Sequence, residues 1–399
     1  MTRRWCNIAI AVKSAILKTA DTKMSNENPR HWFPALDGLR AVAAFAVLID
    51  HLYPPSSIIQ RWFHFGRFGV DIFFVLSGFL IVGNLLKMKA NANDRPSALL
   101  FLQFYAKRAL RIFPIYYAVI FALLIAGIAP TPERLGWLLT YTSNIGSAFH
   151  ITYGNLEHFW TLCVEEQFYI IVPTLVLIMT IHSSLRALVL FCAMGTAVKV
   201  AIGFATHDWA LSTRFVFENL EGLTYGACLA YAWTYHHHFE RFRKIALLAI
   251  IPAAIALAYL QYMRTVMGAP VYNNPVYIGA IDLTMTLTFG PLVILCIASD
   301  ELPILRLLKL VPLRYLGRIS YGTYIYHYAL IPFYPRIFGA IGLSPSNPWE
   351  SKIGFCMAVF ITYALSALSW HLFEAPILSL KRICTFSFQR PASAPEECR

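Results

Sequence analysis

The segment LDGLRAVAAFAVLIDHL carries an arginine and a histidine eleven residues apart, Arg40 and His51, embedded among apolar side chains. On an α-helix that spacing brings the two within roughly 20° of one face and ~16 Å apart along the axis, so they line one groove at different depths. A histidine facing a carboxylate in a dry site acts as a general base, because imidazole exchanges protons near neutrality. Arginine suits a different task, since its forked guanidinium binds phosphate bidentately. Arg108 and Arg111, with Lys107 beside them in FYAKRALRIFPIYY, extend such an anion site. Glu165, in WTLCVEEQFYIIVP, lies near the outer start of its own apolar segment, at a depth comparable to His51, and is the carboxylate expected to orient the imidazole. Arg40, His51 and Glu165 therefore form the candidate catalytic set, and Arg40, Arg108 and Arg111 the candidate anion site.

Ionisable side chains inside apolar spans cost a few kcal/mol on insertion scales, so each requires a reason. Asp37, Asp50, Asp71, Glu166 and His327 raise the same question. Competing readings are a snorkelling Arg40 and a His51 satisfied near the surface. Asp71 and His327 are secondary candidates, each somewhat better suited to bonding a neighbouring helix than to lining the site. Ser77, followed by Gly78, fits close helix packing better than nucleophilic catalysis. Tyr321, Tyr324 and Tyr326 read as packing residues, Glu374 before Pro376 as a cap of the last span, and His236, His237 and His238 as a solvated turn. The eight cysteines show no metal-ligand spacing, and no metal or disulfide is expected.

The elements that must position these groups are membrane helices. Of the 399 residues, 58% are hydrophobic and 14% charged, and mean hydropathy is +0.56; an ordinary soluble domain carries about 25% charged residues. The net charge of +12 is interrupted by apolar stretches long enough to cross ~30 Å of hydrocarbon, which makes nucleic acid a poor partner. An all-α polytopic bundle of about ten transmembrane helices is predicted, over 35–53, 67–86, 112–129, 159–181, 186–205, 215–235, 245–262, 276–298, 316–338 and 352–373. Residues 130–158 form a long connection with room for a re-entrant helix. Alternate connections hold nineteen Lys and Arg on one side against seven on the other, which places both termini in the cytoplasm. Residues 1–34 form an N-terminal segment whose first 23 residues are expected to be dispensable, with Met24 an alternative start. Residues 35–376 form one membrane domain, and 377–399 a disordered tail.

In order along the chain, LDGLRAVAAFAVLIDH, FGVDIFFVLSGFLI, FYAKRALRIFPIYY, FWTLCVEEQFYIIVP, LGRISYGTYIYH and HLFEAPI make a set that resembles the integral-membrane acyltransferase 3 family, bacterial O-acyltransferases of lipopolysaccharide, exopolysaccharide and nodulation factors. The resemblance implies that His51 is catalytic, that Arg40 and the basic start of the third span matter to activity, that acyl-CoA is the donor cosubstrate with no permanently bound cofactor, and that Glu374 matters to activity. It departs at Thr161, where the family often has Ser, and at Asp50, where an apolar or aromatic residue is common.

The resulting expectation is a cytoplasmic (inner) membrane enzyme that moves an acyl group, acetyl by family habit, from acyl-CoA to a hydroxyl of a carbohydrate acceptor, lipid-linked or nascent. His51, oriented by Glu165, serves as general base or transient acyl carrier. The alternative is a transporter or flippase for a glycan or anion, because buried Arg, His, Asp and Glu also mark substrate and proton paths. Acceptor identity, acyl length and oligomeric state stay open.

Overall fold

The computed structural model describes residues 33–384 apart from 54–62, 64, 93–95, 129, 236–238, 299–302, 341 and 343–351. The expected N-terminal segment with Met24, the triple-histidine turn and most of the tail lie outside the described residues. Those described fold into helices, with no strand among them.

The principal helices are α1 (Pro34–Leu52), α2 (Phe65–Ala90), α3 (Ser97–Ile125), α4 (Trp160–Ile178), α5 (Ile181–Thr206), α6 (Leu220–Thr234), α7 (Phe239–Met267), α8 (Pro275–Phe289), α9 (Ser320–Ala329) and α10 (Lys352–Ser369). Seven helical segments among the described residues, built on α2, α3, α4, α5, α7, α8 and α10, are long and apolar enough to cross a membrane. The other three predicted crossings, at α1, α6 and α9, are helical as well. Helix α1 carries three charges, Asp37, Arg40 and Asp50, within its 19 residues, and α6 and α9 span only 15 and 10 residues.

Helix α3 begins well before the predicted residue 112. Lys107, Arg108 and Arg111 lower the hydropathy there, but Lys and Arg are good helix formers, so the helix runs through them. The predicted span 316–338 is divided into Val311–Arg318, α9, a turn at Ile331–Phe333 and Tyr334–Ala340. Glu374 does not cap the last span: α10 passes through a π-helical turn, Trp370–Glu374, and continues as Ala375–Ser379. Within that turn Glu374 is buried and accepts from Ser369 Oγ at 3.1 Å.

Helix α2 is central. Two-thirds (67%) of its most apolar window is buried, against 22% for the windows of α5 and α10, whose Leu190, Phe204, Phe360 and Leu368 are exposed in the manner of lipid-facing residues. Its closest crossing is with α6, through reciprocal glycines. A Cβ on Gly78 would sit 2.0 Å from the Leu223 carbonyl oxygen, and one on Gly226 2.0 Å from that of Val75. Small residues at such a crossing let backbones meet where apolar burial gives no drive between helices. Helix α1 packs beside α2 through Ala43, Val47 and other buried small and aliphatic side chains, which fixes the rotation that presents Arg40 and His51 to the interior.

Candidate active site

Two cavities open against the inner helices. The first, about 330 Å³, is lined by His51 from the end of α1, Arg67 and Asp71 from α2, His158 and Trp160 around the start of α4, and Glu221 and Asp282 from α6 and α8. The second, about 100 Å³, is lined by Arg40, Ser77, Arg108, Arg111, Glu165 and Glu166. Val70, Phe74, Thr161 and Tyr324 touch both, so these four side chains form a shared wall between a histidine chamber and an arginine chamber.

In the arginine chamber the guanidiniums of Arg40, Arg108 and Arg111 converge with Glu165 and Glu166. Arg108 lies over the Tyr169 ring at 5.1 Å, and Arg40 is tied to Asp37 at 3.1 Å. Glu165 is held within this chamber: Ser77 Oγ donates to Oε1 at 2.9 Å and Tyr169 Oη to Oε2 at 3.1 Å. It is therefore not the partner of His51. Glu165 lies five residues inside α4, whose start at Trp160 falls within one residue of that predicted, and the side chain that reaches the histidine pair is His158, from the 3₁₀ turn Gly154–Phe159 before the helix, its ring 4.8 Å from that of His327.

The partner of His51 is His327. Nδ1 of His51 lies 2.8 Å from Nε2 of His327, the rings stacking at a centroid distance of 5.0 Å. His327 is completely buried, whereas His51 remains exposed. Nδ1 of His327 is 2.5 Å from the Tyr324 carbonyl oxygen. A carbonyl only accepts, so this Nδ1 carries the hydrogen, and Nε2 of the neutral ring presents a lone pair. His51 must then donate from Nδ1, which leaves its Nε2 unprotonated. The backbone of α9 thus sets the tautomer of a base lining the histidine chamber, as orienting groups do for catalytic histidines generally. Of the secondary candidates, Ser77 serves Glu165, and Asp71 Oδ1 accepts from Thr286 Oγ1 at 2.6 Å.

Sequence reasoning passed over His158 and a charged chain across four helices. Lys199, fully buried on α5, donates to Glu221 Oε1 at 2.8 Å and to Asp282 Oδ2 at 2.9 Å, and Arg67 Nε donates to Asp282 Oδ1 at 2.6 Å. Each of these residues sits in or beside a predicted span, so the rule that singled out Asp71 would have found them too. His158 belonged to no span, and nothing in its spacing marks it.

The profile of the Acyltransferase domain family, acyltransferase 3, matches residues 33–367. The chain belongs to that family. Within it, peptidoglycan O-acetyltransferase OatA of Listeria monocytogenes is 27% identical over 383 residues, covering 89% of this chain and 57% of that protein. The putative peptidoglycan O-acetyltransferase YrhL of Bacillus subtilis is 30% identical over 373 residues, 87% of this chain and 55% of the relative. O-acetyltransferase OatA of Staphylococcus aureus is 26% identical over 379 residues, with 88% and 58% covered. The chain thus spans somewhat more than half the length of these acyltransferase relatives. No solved structure matches it. Membership in the family and the apolar helices together make it an integral membrane protein.

Proposed function

We propose that this chain is a membrane O-acyltransferase that carries an acyl group, acetyl by the names of its relatives, from acyl-CoA to a hydroxyl of a cell-wall carbohydrate. The observation that carries the reading is the hydrogen-bond chain from the Tyr324 carbonyl through His327 to His51, which prepares a base at the wall of a chamber.

In this reading the donor enters on the arginine side, where Arg40, Arg108 and Arg111 offset its phosphate charge. A cavity of about 100 Å³ is smaller than the ~300–1,000 Å³ of a whole small-molecule site, so it takes the diphosphate against the arginines, leaving the adenosine outside and the thioester arm directed past the shared wall toward His51. The acceptor occupies the histidine chamber. His51 Nε2 removes the hydroxyl proton as oxygen attacks the thioester carbon; the C–S bond breaks, and the departing sulfur receives the proton from His51. In the covalent variant Nε2 itself attacks the carbon and the C–S bond breaks to release thiolate; the acceptor hydroxyl then displaces the imidazole from the acyl carbon, and its proton passes to the thiolate. The lysine and arginine asymmetry favours an arginine chamber facing the cytoplasm of an inner-membrane protein.

The test is acetyl-CoA turnover by the purified protein in nanodiscs, with peptidoglycan fragments as acceptor, in wild type and His51→Ala. Turnover abolished in the variant is expected. Equal turnover in both removes His51 from the reaction, and failure of wild type to bind or consume acetyl-CoA points to a transporter. A trapped acetyl-protein under single turnover selects the covalent variant.

A further inference from the structure

With the donor on one side of the shared wall and the acceptor on the other, the two meet at the wall itself. Of its four side chains, Val70 and Phe74 are apolar, and Thr161 and Tyr324 carry hydroxyls. Both hydroxyls belong to buried residues and lie 2.6 Å apart. Each also reaches the carbonyl oxygen of His158, Thr161 Oγ1 at 3.1 Å and Tyr324 Oη at 3.0 Å. Three oxygens thus share two hydrogens, and one hydrogen is enough to satisfy the carbonyl. Thr161 lies three residues beyond His158, the local spacing at which threonine bonds back to its own turn, so it holds that carbonyl without help. Tyr324 comes from α9, and its hydrogen can leave the carbonyl with no acceptor left unpaired.

We propose that the Tyr324 hydroxyl is the oxyanion donor of the acyl transfer; the assignment rests on the acyl-transfer reading of this site. As the acceptor oxygen bonds to the thioester carbon, the carbonyl π pair moves onto the carbonyl oxygen. Tyr324 Oη turns its hydrogen from the His158 carbonyl to that oxyanion and keeps its proton throughout. When the pair returns, the C–S bond breaks, the sulfur receives the proton that His51 took from the acceptor, and the hydroxyl swings back. A donor already in place where charge develops, in a site shielded from water, is worth far more than one in water. The same residue accepts from His327 Nδ1 through its backbone carbonyl, so one residue of α9 registers both the base and the oxyanion donor. His158, whose carbonyl the two hydroxyls share, has its ring 4.8 Å from that of His327, so the hydroxyl pair abuts the histidine cluster.

The experiment measures steady-state transfer by the full chain in nanodiscs, with peptidoglycan fragments as acceptor, from acetyl-CoA and from its dithioester analogue, in which sulfur replaces the carbonyl oxygen. Sulfur accepts hydrogen bonds weakly, so an oxyanion donor favours acetyl-CoA over the analogue. Tyr324→Phe keeps the ring and the backbone carbonyl and should lower kcat about 100- to 1,000-fold with KM for acetyl-CoA little changed. Wild type should favour oxygen over sulfur about tenfold or more, and the phenylalanine variant should narrow that ratio to within about threefold. Because each ratio is taken within one protein preparation, misfolded chains lower both rates and leave it unchanged. Thr161→Val removes the hydroxyl that holds the His158 carbonyl and should lower kcat about tenfold, whereas Thr161→Ser keeps it and should stay within about threefold of wild type. With wild type active on acetyl-CoA, the proposal alone is overturned by a Tyr324→Phe variant within about threefold of wild type, or by one that is slow with the oxygen preference intact. Equal use of the two donors by wild type, or a serine variant as slow as the valine one, overturns it as well. No turnover of acetyl-CoA by wild type overturns the acyl-transfer reading and the proposal together.

Discussion

Replacing His327 by leucine removes the acceptor that holds His51 in its working tautomer while keeping a buried side chain of similar bulk. In the wild-type protein the Nδ1–H of His51 points at Nε2 of His327 across 2.8 Å. That bond becomes charge-assisted when His51 takes the acceptor's proton, and hydrogen bonds to charged groups are worth roughly 1.5–3 kcal/mol. At about 1.4 kcal/mol for each factor of ten, losing it lowers kcat by roughly 10- to 150-fold. His327 is completely buried behind His51 and lines neither chamber, so KM for acyl-CoA should move little. The assay is steady-state acetyl-CoA turnover with acceptor present, on wild type, His327→Leu and His327→Gln. Glutamine offers a carbonyl oxygen to the same Nδ1–H and should recover a substantial part of the lost rate. A leucine variant within about threefold of wild type would refute the tautomer argument, as would a glutamine variant no better than leucine.

Arg108→Ala and Arg111→Ala should each raise KM for acyl-CoA about tenfold with a smaller change in kcat, and added salt should narrow the gap to wild type; an effect on kcat alone would contradict their placement on the donor phosphates. Gly78→Val puts side-chain atoms into a space where even a Cβ lies 2.0 Å from the Leu223 carbonyl oxygen. The α2–α6 crossing cannot close around it, so the yield of monodisperse protein on size exclusion should collapse, whereas Gly136→Ala, where a Cβ meets open space, should leave it unchanged. Lys199→Met strands Glu221 and half of Asp282 without their cation, which should cost about 3–5 kcal/mol in denaturant-induced unfolding. Adding Glu221→Gln should restore part of that loss, since the surviving Asp282 keeps Arg67.

The contrast between Arg40 and Glu165 shows where sequence reasoning reached and where it stopped. Both are charges inside apolar segments, and hydropathy identified both. Arg40 could be placed relative to His51 because the two share one uninterrupted helix, whose pitch converts eleven residues into a face and a rise. Glu165 lies on another helix, whose start was predicted to within one residue, but the bounds of two helices do not register one against the other. Glu165 therefore lines the arginine chamber, and His158, from the turn before α4, lines the histidine chamber in its place. His327 was visible as a misplaced ionisable residue, but its role depends on the carbonyl of Tyr324, a backbone atom that no residue type advertises. Helices α5, α7 and α10, all legible as spans, expose apolar side chains as lipid-facing helices do. The three histidines sit on α1, the 3₁₀ turn before α4, and α9, where charge and broken helices weaken the hydropathy signal, whereas α2, a clear span, carries Arg67, Asp71 and Ser77 into the interior. The difference is physical: a long helix absorbs one or two buried charges and stays apolar on average, whereas a helix that ends or breaks at a chamber lacks the length to average its polar groups away.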